Sequence, residues 1–437
     1  MSPFIIGDNV WDAEAIRESL GDFSIIRDPN GNETSNDKTI KCPARYGARL
    51  AQAFRCVRYN WSKMTALYVW ISSTTEPSIE IKPSELRHLD DIERNDSVFT
   101  DGVGTISMEL ADEVWESLCR RRRRDASKLN IKPSAYQMRF QGYKGVVVVD
   151  PELQGRQLCL RPSMNKFYSE SSWNLEISKS FDRPSKAHLN RSIHIVLYNR
   201  KLILLLRPLI MLLETNGIER DIFLNLQRAA VQEAHVVTDT PGDFARLISL
   251  YSLGGSFSLV FLLRQLEKRQ IFDFSRFKEH SDGILGFLQR LALLSKGHIL
   301  RDLKHHARIP VPDSWTLVGV ADEWGGLDEG EVYVNINDPN GGGSTWLEGE
   351  VLVLRSPTVH RGDAQFHQAM GEPPKGSPYW KISNLLIFSV EGRHHNFFPI
   401  SDTNVPSSSK VIVLLLRVWE AVSERGHKMI RCINTRT

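Results

Sequence analysis

The sequence predicts an α+β protein in which two sheet-rich regions flank a helical segment. Over residues 135–161 and again over residues 307–390, short runs with the period of a β-strand are separated by Gly- and Pro-bearing turns. Residues 188–306 instead show the spacing of helices. With 437 residues, of which 41% are hydrophobic, the chain is long enough for two or three domains with substantial cores.

The first sheet-rich region is centred on a predicted hairpin. Apolar and polar residues alternate over residues 136–141, so Arg139 lies on the polar face and points away from the core. Residues 142–145, Gly-Tyr-Lys-Gly, predict a tight turn that holds Lys144. The β-branched run at residues 146–149 is typical of a strand buried on both faces.

A second turn at Gly155 and a predicted strand over residues 157–161 bring a third cation, Lys166, into the same β unit. Arginine offers a bidentate fork and lysine a compact point charge, and both bind phosphate best when they are preorganised. Arg139, Lys144 and Lys166 are therefore candidate phosphate ligands. The alternative is that they are the solvated surface charges that hairpins commonly carry.

A glycine-rich turn precedes a predicted helix. The turn is residues 99–104, Phe-Thr-Asp-Gly-Val-Gly, and the helix is expected over residues 108–122. Such a turn either binds an anion at a helix N-terminus or is simply a turn. Five arginines at residues 120–124 stabilise the negative end of the helix dipole. They are a solvated helix end, a contact to RNA backbone or a nuclear import signal.

The second sheet-rich region contains several short predicted strands, which suggest a small barrel. The strands are expected at residues 316–320, 331–336, 350–354 and 384–390. The segment 341–345, Gly-Gly-Gly-Ser-Thr, lacks the lysine of a phosphate-binding loop and is expected to be a flexible loop. His305 and His306 lack metal-ligand spacing and are interpreted as surface or packing residues.

Charge and cysteine content narrow the class of protein. The formal net charge is +3, so a nucleic-acid surface would be a local patch. Five scattered cysteines without a Cys-x-x-Cys pair argue for reduced thiols and against a disulfide framework or a structural zinc site. We expect neither a signal peptide nor a membrane span, and hence an intracellular protein of the nucleus, the cytoplasm or both.

Five segments, in this order, carry a resemblance to a known family. They are FTDGVGTIS (99–107), YQMRFQGYKGVVVVDP (136–151), LRPSMNKF (160–167), ARIPVPDSWTLVGVADEWGGLDEGEVYV (307–334) and SPTVHRGD (356–363). Together they resemble the cellular RNA-dependent RNA polymerases of eukaryotic RNA silencing, most of all the fungal members. The resemblance covers residues 41–390 and is far more specific than any single short motif.

The resemblance implies a fold, an activity and substrates. It implies two double-psi β-barrel-like modules, the second incomplete, joined by a helical segment. The implied activity is that of a nucleotidyltransferase that copies a single-stranded RNA template with nucleoside triphosphates and Mg²⁺, making double-stranded RNA. The partners it implies are RNA, nucleotides and silencing-pathway proteins, and no membrane.

The resemblance also implies site residues and domains. Arg139, Lys144 and Lys166, with Arg161 as a weaker candidate, would face the incoming nucleotide and the nucleic-acid backbone. Asp101, His360 and Asp363 would lie near the site. The expected domains are a partial mixed N-terminal region (1–98), the first barrel region with the basic site (99–187), a helical connection (188–306), a partial second barrel region (307–390) and a divergent tail (391–437).

One family feature is missing from the sequence. The family holds its two catalytic metals with an Asp-x-Asp-Gly-Asp loop, shortly after a strand equivalent to residues 385–389. No such motif occurs in the chain, and the resemblance fades after Gly392. The following sequence looks like another reading frame or an unspliced intron, although an evolved inactive member would read similarly.

Three hypotheses follow from this departure. The first is a polymerase core without catalytic or metal-binding residues, which does not synthesise RNA. The second is a non-catalytic RNA-binding or scaffold protein derived from that core. The third is a product that does not fold, because a second barrel without its closing strands would expose unpaired edges.

Overall fold

A computed structural model describes residues 4–6, 9–11, 22–27, 32–43, 46, 78–94, 97–121, 132–169, 173–181, 185–188, 208–215, 217–251, 253, 259–269, 283–338, 343–356, 364–392 and 412–416. The chain divides into two compact units. Unit 1 comprises Met1–Pro184, Leu317–Glu350 and Phe366–Val413, and unit 2 comprises Ser185–Thr316, Val351–Gln365 and Leu414–Thr437. The fold is mixed α+β, as predicted. The domain boundaries and the double-psi topology stay predictions.

The N-terminal part of unit 1 is built mainly of strands. Its strands are β1 (Phe4–Ile6), β2 (Asn9–Trp11), β3 (Ile25–Arg27), β4 (Glu33–Ser35), β5 (Ser78–Glu80), β6 (Leu86–His88), β7 (Glu93–Arg94), β8 (Ser97–Val98), β9 (Val103–Ser107), β10 (Ala135–Phe140), β11 (Tyr143–Asp150), β12 (Leu158–Leu160) and β13 (Asn174–Ser180). It also contains the helices α1 (Asp37–Ile40) and α2 (Met108–Arg121), with 3₁₀ turns at Pro83–Glu85 and Pro162–Met164.

Seven of these strands form one sheet, in the order β5-β13-β10-β11-β9-β12-β6. Both faces of this sheet are covered. Val147 and Val149 pack in a core with the apolar face of α2, whereas Val146 and Val148 pack in a second core with apolar residues of the C-terminal strands of unit 1. The prediction of a strand buried on both faces is therefore confirmed.

The glycine-rich turn of residues 99–102 precedes a strand, which corrects the sequence-based expectation. β9 follows the turn, and α2 begins only after β9, where the Leu110 N–H donates to the Ser107 hydroxyl (3.4 Å). The turn therefore does not form the N-terminus of the helix and offers no anion site of that kind. The expected helix is present as α2. Of the five arginines, residues 122–124 lie outside the described residues.

Unit 2 is largely helical. It contains β14 (Ser185–His188), α3 (Pro208–Thr215), α4 (Arg220–His235), α5 (Pro241–Leu250), α6 (Leu259–Lys268) and α7 (Gly283–His306). Helix α5 begins with a cap in which the Thr240 hydroxyl accepts from the Asp243 N–H (3.0 Å), and Pro241 occupies its first turn. Helices are thus present between residues 208 and 306, whereas residues 189–207 of the predicted helical segment lie outside the described residues. Among the described residues, no helix is both long and apolar enough to cross a membrane.

The C-terminal strands supply the second sheet. They are β15 (Pro310–Ala321), β16 (Glu331–Asp338), β17 (Gly343–Trp346), β18 (Glu348–Ser356), β19 (Ala364–Met370), β20 (Leu385–Phe388) and β21 (Ile412–Leu416), with a 3₁₀ turn at Pro378–Lys381. Within unit 1, β20 lies between β15, to which it is parallel, and β16, to which it is antiparallel. In unit 2, the first half of β15 pairs with β14.

The glycine run near residue 341 is not simply a loop. Its described part, β17, forms an antiparallel pair with β16, in which Ser344 is opposite Asn337 and Thr345 is opposite Ile336. The expectation of a flexible loop was therefore wrong for residues 343–345. Local glycine content favoured a loop, but backbone pairing with a neighbouring strand decided the conformation.

Candidate nucleic-acid interface

The hairpin of β10 and β11 turns at Gln141 and Gly142, which have φ angles of 43° and 78°. Two consecutive positive φ angles are typical of the two-residue type I′ turn, which matches the twist of the strands. The resulting register places Arg139 directly opposite Lys144. Lys144 therefore belongs to strand β11, and the expectation that it lies in the turn was wrong.

Gly142 is required by packing as well as by conformation. A Cβ at this position would lie 1.9 Å from the carbonyl oxygen of Phe167. The segment after the Pro162–Met164 turn therefore approaches the hairpin closely. This contact brings the third candidate cation, Lys166, next to the hairpin.

The cations of the hairpin are ordered by the sheet. Lys144 is only 5% exposed, unlike the solvated charges that hairpins usually carry. Arg139 is half-buried and lies opposite Glu176 of β13 in the register. Burial raises the pKa of Glu176, and the positive charge of Arg139 partly opposes that rise. The alternative of freely solvated surface charges does not fit Lys144.

Lys166 is tied to the same hairpin through its backbone. Its N–H donates to the Gly142 carbonyl (3.2 Å), and the preceding residue, Asn165, forms a β-bridge with Tyr143. The Lys166 ammonium donates to the Ser163 carbonyl. The side chain is therefore directed by the turn that precedes it.

Asp101 lies in the loop that packs between these elements. It is buried, with 8% exposure. Its neighbour Gly102 accepts a hydrogen bond from the Val146 N–H (3.0 Å) and donates its own N–H to the Ser163 hydroxyl (2.8 Å). The loop of residues 99–102 is thus bound both to β11 and to the turn that orients Lys166.

A residue that the sequence did not single out, Asp91, joins these segments. Its carboxylate accepts hydrogen bonds from the Ser163 N–H (2.8 Å), the Ser163 hydroxyl (2.7 Å) and the Thr100 hydroxyl (3.0 Å). Ser163 lies within the LRPSMNKF segment, but nothing local marks its partner. Asp91 is 72 residues away in the sequence, and only the fold brings it to Ser163.

Arg161 has partners within the protein. It is 4% exposed, and its guanidinium donates to the Glu323 carboxylate (2.6 Å) and to the Asp90 carbonyl. Burial raises the pKa of Glu323, and the charge of Arg161 opposes that rise. These contacts favour a structural role for Arg161 over phosphate binding. The other two candidates, His360 and Asp363, lie outside the described residues.

A cavity of about 420 Å³ lies beside Glu323 but has a different chemistry. Its lining residues include Trp324, Tyr333 and Tyr379, together with the acids Glu152 and Glu323. None of the candidate phosphate ligands lines it. Aromatic and acidic walls do not suit a phosphate, so the basic hairpin remains the candidate site.

Comparison with known proteins decides the family. The RNA dependent RNA polymerase family model matches residues 2–397. The chain belongs to the RNA-dependent RNA polymerase family. The match extends beyond the resemblance of residues 41–390 that the motifs indicated.

Individual polymerases of the family are similar over most of this chain. The chain is 29% identical over 353 residues to RNA-dependent RNA polymerase 6 of Arabidopsis thaliana, covering 76% of the chain and 26% of that protein. It is 27% identical over 418 residues to RNA-dependent RNA polymerase 1 of Schizosaccharomyces pombe, covering 89% and 28%. The chain therefore spans about a quarter of the length of these relatives.

A solved polymerase structure has a similar fold. The RNA dependent RNA polymerase QDE-1 from Thielavia terrestris aligns with a TM-score of 0.56 and 19% identity, covering 82% of this chain and 38% of that one. At this level of identity, the likeness extends to the fold alone. It agrees with the mixed α+β architecture described above.

The metal that the family's polymerase chemistry implies finds no matching ligands in the described part of the chain. No group of three or more His, Cys, Asp or Glu side chains there could hold a metal ion. Two prominent acids already have protein partners: Glu323 pairs with Arg161, and Asp322 accepts four hydrogen bonds. The acids in the described ranges therefore do not fit Mg²⁺.

Proposed function

We propose that this chain is the RNA- and nucleotide-binding core of a silencing-type RNA-dependent RNA polymerase. Arg139, Lys144 and Lys166 bind the phosphates of a single-stranded RNA template and of nucleoside triphosphates. The observation that carries this proposal is the convergence of all three cations on one hairpin of a polymerase-family sheet. The core consists of two double-psi β-barrel-like modules, as the family resemblance implies.

The chemistry of the hairpin supports phosphate binding. The strand register directs Arg139 and Lys144, and backbone hydrogen bonds direct Lys166, so little side-chain entropy is lost on binding. A fixed guanidinium can bind two phosphate oxygens at once, whereas an ammonium acts as a point charge. The negative charge of Glu176 opposite Arg139 limits the net positive charge of the site.

The reaction to which this core would contribute is template-directed nucleotidyl transfer, with Mg²⁺ as the cofactor. Its product is double-stranded RNA for silencing. This chain alone does not catalyse that reaction, because the sequence contains no Asp-x-Asp-Gly-Asp and the described carboxylates do not form a metal site. Incorporation of labelled nucleotide by the 437-residue chain with Mg²⁺ would contradict this part of the proposal.

The alternative function is that of a non-catalytic RNA-binding or scaffold protein, which would join silencing-pathway proteins to RNA. It uses the same basic hairpin, and the family membership together with the absent catalytic motif supports it. The two functions differ in nucleotide binding. A scaffold binds RNA without binding free nucleoside triphosphates, whereas a polymerase core binds both.

The test is binding of a single-stranded oligoribonucleotide and of a nucleoside triphosphate to the full chain, by fluorescence anisotropy and calorimetry. We expect Lys144→Ala and Lys166→Ala each to weaken RNA binding about tenfold, because each removes a charged hydrogen bond to phosphate. The slope of log affinity against log salt should fall by about one for each lysine.

Lys132→Ala is the matched control, because Lys132 is exposed and pairs with Asp112 on the surface of the same unit. It should change RNA affinity by less than about twofold. If Lys144→Ala and Lys166→Ala bind RNA as tightly as the unmodified chain, the basic hairpin is not the nucleic-acid interface and the proposed function is wrong.

A further inference from the structure

We propose that Asp91 is a positioning residue, which sets the Lys166 ammonium and the loop of residues 99–102 through Ser163. This inference rests on the proposed role of Lys166 in phosphate binding. Asp91 touches neither RNA nor nucleotide in this proposal. It acts by fixing the turn on which the ligand-binding cation depends.

The first step is the geometry of the turn. Ser163 is the middle residue of the 3₁₀ turn Pro162–Met164, and both its N–H and its hydroxyl donate to Asp91, at 2.8 and 2.7 Å. Two hydrogen bonds from one residue to the two oxygens of one carboxylate fix orientation as well as position. The Ser163 carbonyl, on the same peptide segment, accepts from the Lys166 ammonium.

The second step is the loop on the other side. The Thr100 hydroxyl donates to Asp91 (3.0 Å) and accepts from the Ile92 N–H (2.9 Å). The Gly102 N–H donates to the Ser163 hydroxyl (2.8 Å). Asp91 and Ser163 therefore bind Thr100 and Gly102, on either side of Asp101 in the loop of residues 99–102. A shift of Asp91 would move this loop and Lys166 together.

The sign of the effect separates positioning from charge. Removing a negative charge near a phosphate-binding site should strengthen RNA binding if the charge acts only through space. Removing a positioning carboxylate should weaken binding, because Lys166 loses its fixed place and ordering it costs entropy. Asp91→Asn keeps the shape of the side chain but leaves only one oxygen to accept hydrogen bonds.

The experiment measures single-stranded RNA affinity of the full chain for Asp91→Ala, Asp91→Asn and Ser163→Ala, each alone and combined with Lys166→Ala. We expect Asp91→Ala to weaken binding about tenfold and Asp91→Asn to weaken it by a smaller factor. In combination with Lys166→Ala, Asp91→Ala should add less than about twofold, because both act through one cation. Combined with Lys144→Ala, its effect should be fully multiplicative.

Glu93→Ala is the matched control, since Glu93 is an exposed acid two residues away. It removes the same charge without touching Ser163 and should leave affinity unchanged or slightly increased. Urea unfolding of each variant reports stability separately. If Asp91→Ala does not fold, Ser163→Ala tests the same chain of contacts, and it should also be non-multiplicative with Lys166→Ala.

Two results would overturn the inference. One is tighter RNA binding by Asp91→Ala and Asp91→Asn, which would mean that Asp91 acts only as a charge. The other is full multiplication of the affinity losses, so that Asp91→Ala or Ser163→Ala weakens RNA binding by the same factor with and without Lys166→Ala. Both differ from failure of the proposed function, in which Lys166→Ala itself has no effect.

Discussion

The basic hairpin of β10 and β11 and the acidic loop after β15 use their charged residues in opposite ways. In the loop, Asp322 is 1% exposed and accepts hydrogen bonds from the N–H groups of Trp324 (3.0 Å), Gly326 (2.8 Å) and Leu327 (3.1 Å), and from the Tyr379 hydroxyl (2.7 Å). Burial, together with this bond to Asp322, raises the pKa of Tyr379. Both oxygens of the Asp322 carboxylate therefore accept hydrogen bonds that stabilise the loop.

In the hairpin, strand pairing and backbone hydrogen bonds bring the cations together. The type I′ turn aligns Arg139 with Lys144, and the Gly142 carbonyl holds the backbone of Lys166. The comparison teaches that a charged residue in a family motif is not by itself a site. A carboxylate that accepts four hydrogen bonds from its surroundings has a structural role, whereas ligand binding by the hairpin cations is the proposal that the variants test.

The largest expected effect is a loss of stability on removing the carboxylate of the acidic loop. Asp322→Ala should lower the free energy of unfolding by about 4 kcal/mol, because three N–H groups and one hydroxyl lose a buried acceptor. Urea unfolding measures the change, with the exposed Asp328→Ala as control. RNA affinity of the folded fraction should stay the same. A loss below about 1 kcal/mol would show that Asp322 does not hold the loop.

The next largest effect is a loss of stability on substituting the glycine of the hairpin turn. Gly142→Ala should lower the free energy of unfolding by about 3 kcal/mol, because the new Cβ would meet the Phe167 carbonyl at 1.9 Å. Gly330→Ala is the control: Gly330 has a similar φ of 84° and open space around it, so about 1 kcal/mol of strain is expected. Equal losses in both variants would mean that backbone conformation, and not the approach of Phe167, requires the glycine.

The smallest effect sharpens the electrostatics of the hairpin. Because burial raises the pKa of Glu176 in the folded state, the folded protein holds this proton more tightly than the unfolded chain does. Glu176 therefore contributes stability below the ordinary glutamate pKa, and this contribution is lost as pH rises through the raised pKa. Glu176→Gln should remove that part of the pH dependence, as measured by urea unfolding between about pH 4 and 7.

Glu176→Gln should also strengthen RNA binding about twofold at neutral pH, because the negative charge opposite Arg139 is removed. Two results would contradict this account of the pair. One is an unchanged pH profile of stability, which would mean that Glu176 has the same pKa in the folded and unfolded states. The other is weaker RNA binding, which would mean that Glu176 orients Arg139 for the ligand.

Local pattern predicted much of the fold because it reports which side chains are buried. The alternation over residues 136–141 predicted Met138 and Phe140 in the core, where the structure has them, and Arg139 on the opposite face, where it is half-buried. Pattern failed where pairing between strands overrode local composition. The positive φ angles of Gln141 and Gly142 moved the turn by one residue pair and transferred Lys144 to a strand.

The sequence by itself determined the α+β class, the doubly covered valine strand, the family and the absence of an Asp-x-Asp-Gly-Asp motif, because strand period and motif order are local properties of the chain. Only the tertiary structure decided which charged side chains bind partners within the protein. Arg161 and Glu323 are 162 residues apart, and Asp91 is 72 residues from Ser163. Such pairs form only when distant segments pack together. The residue spacing within either segment therefore cannot predict them.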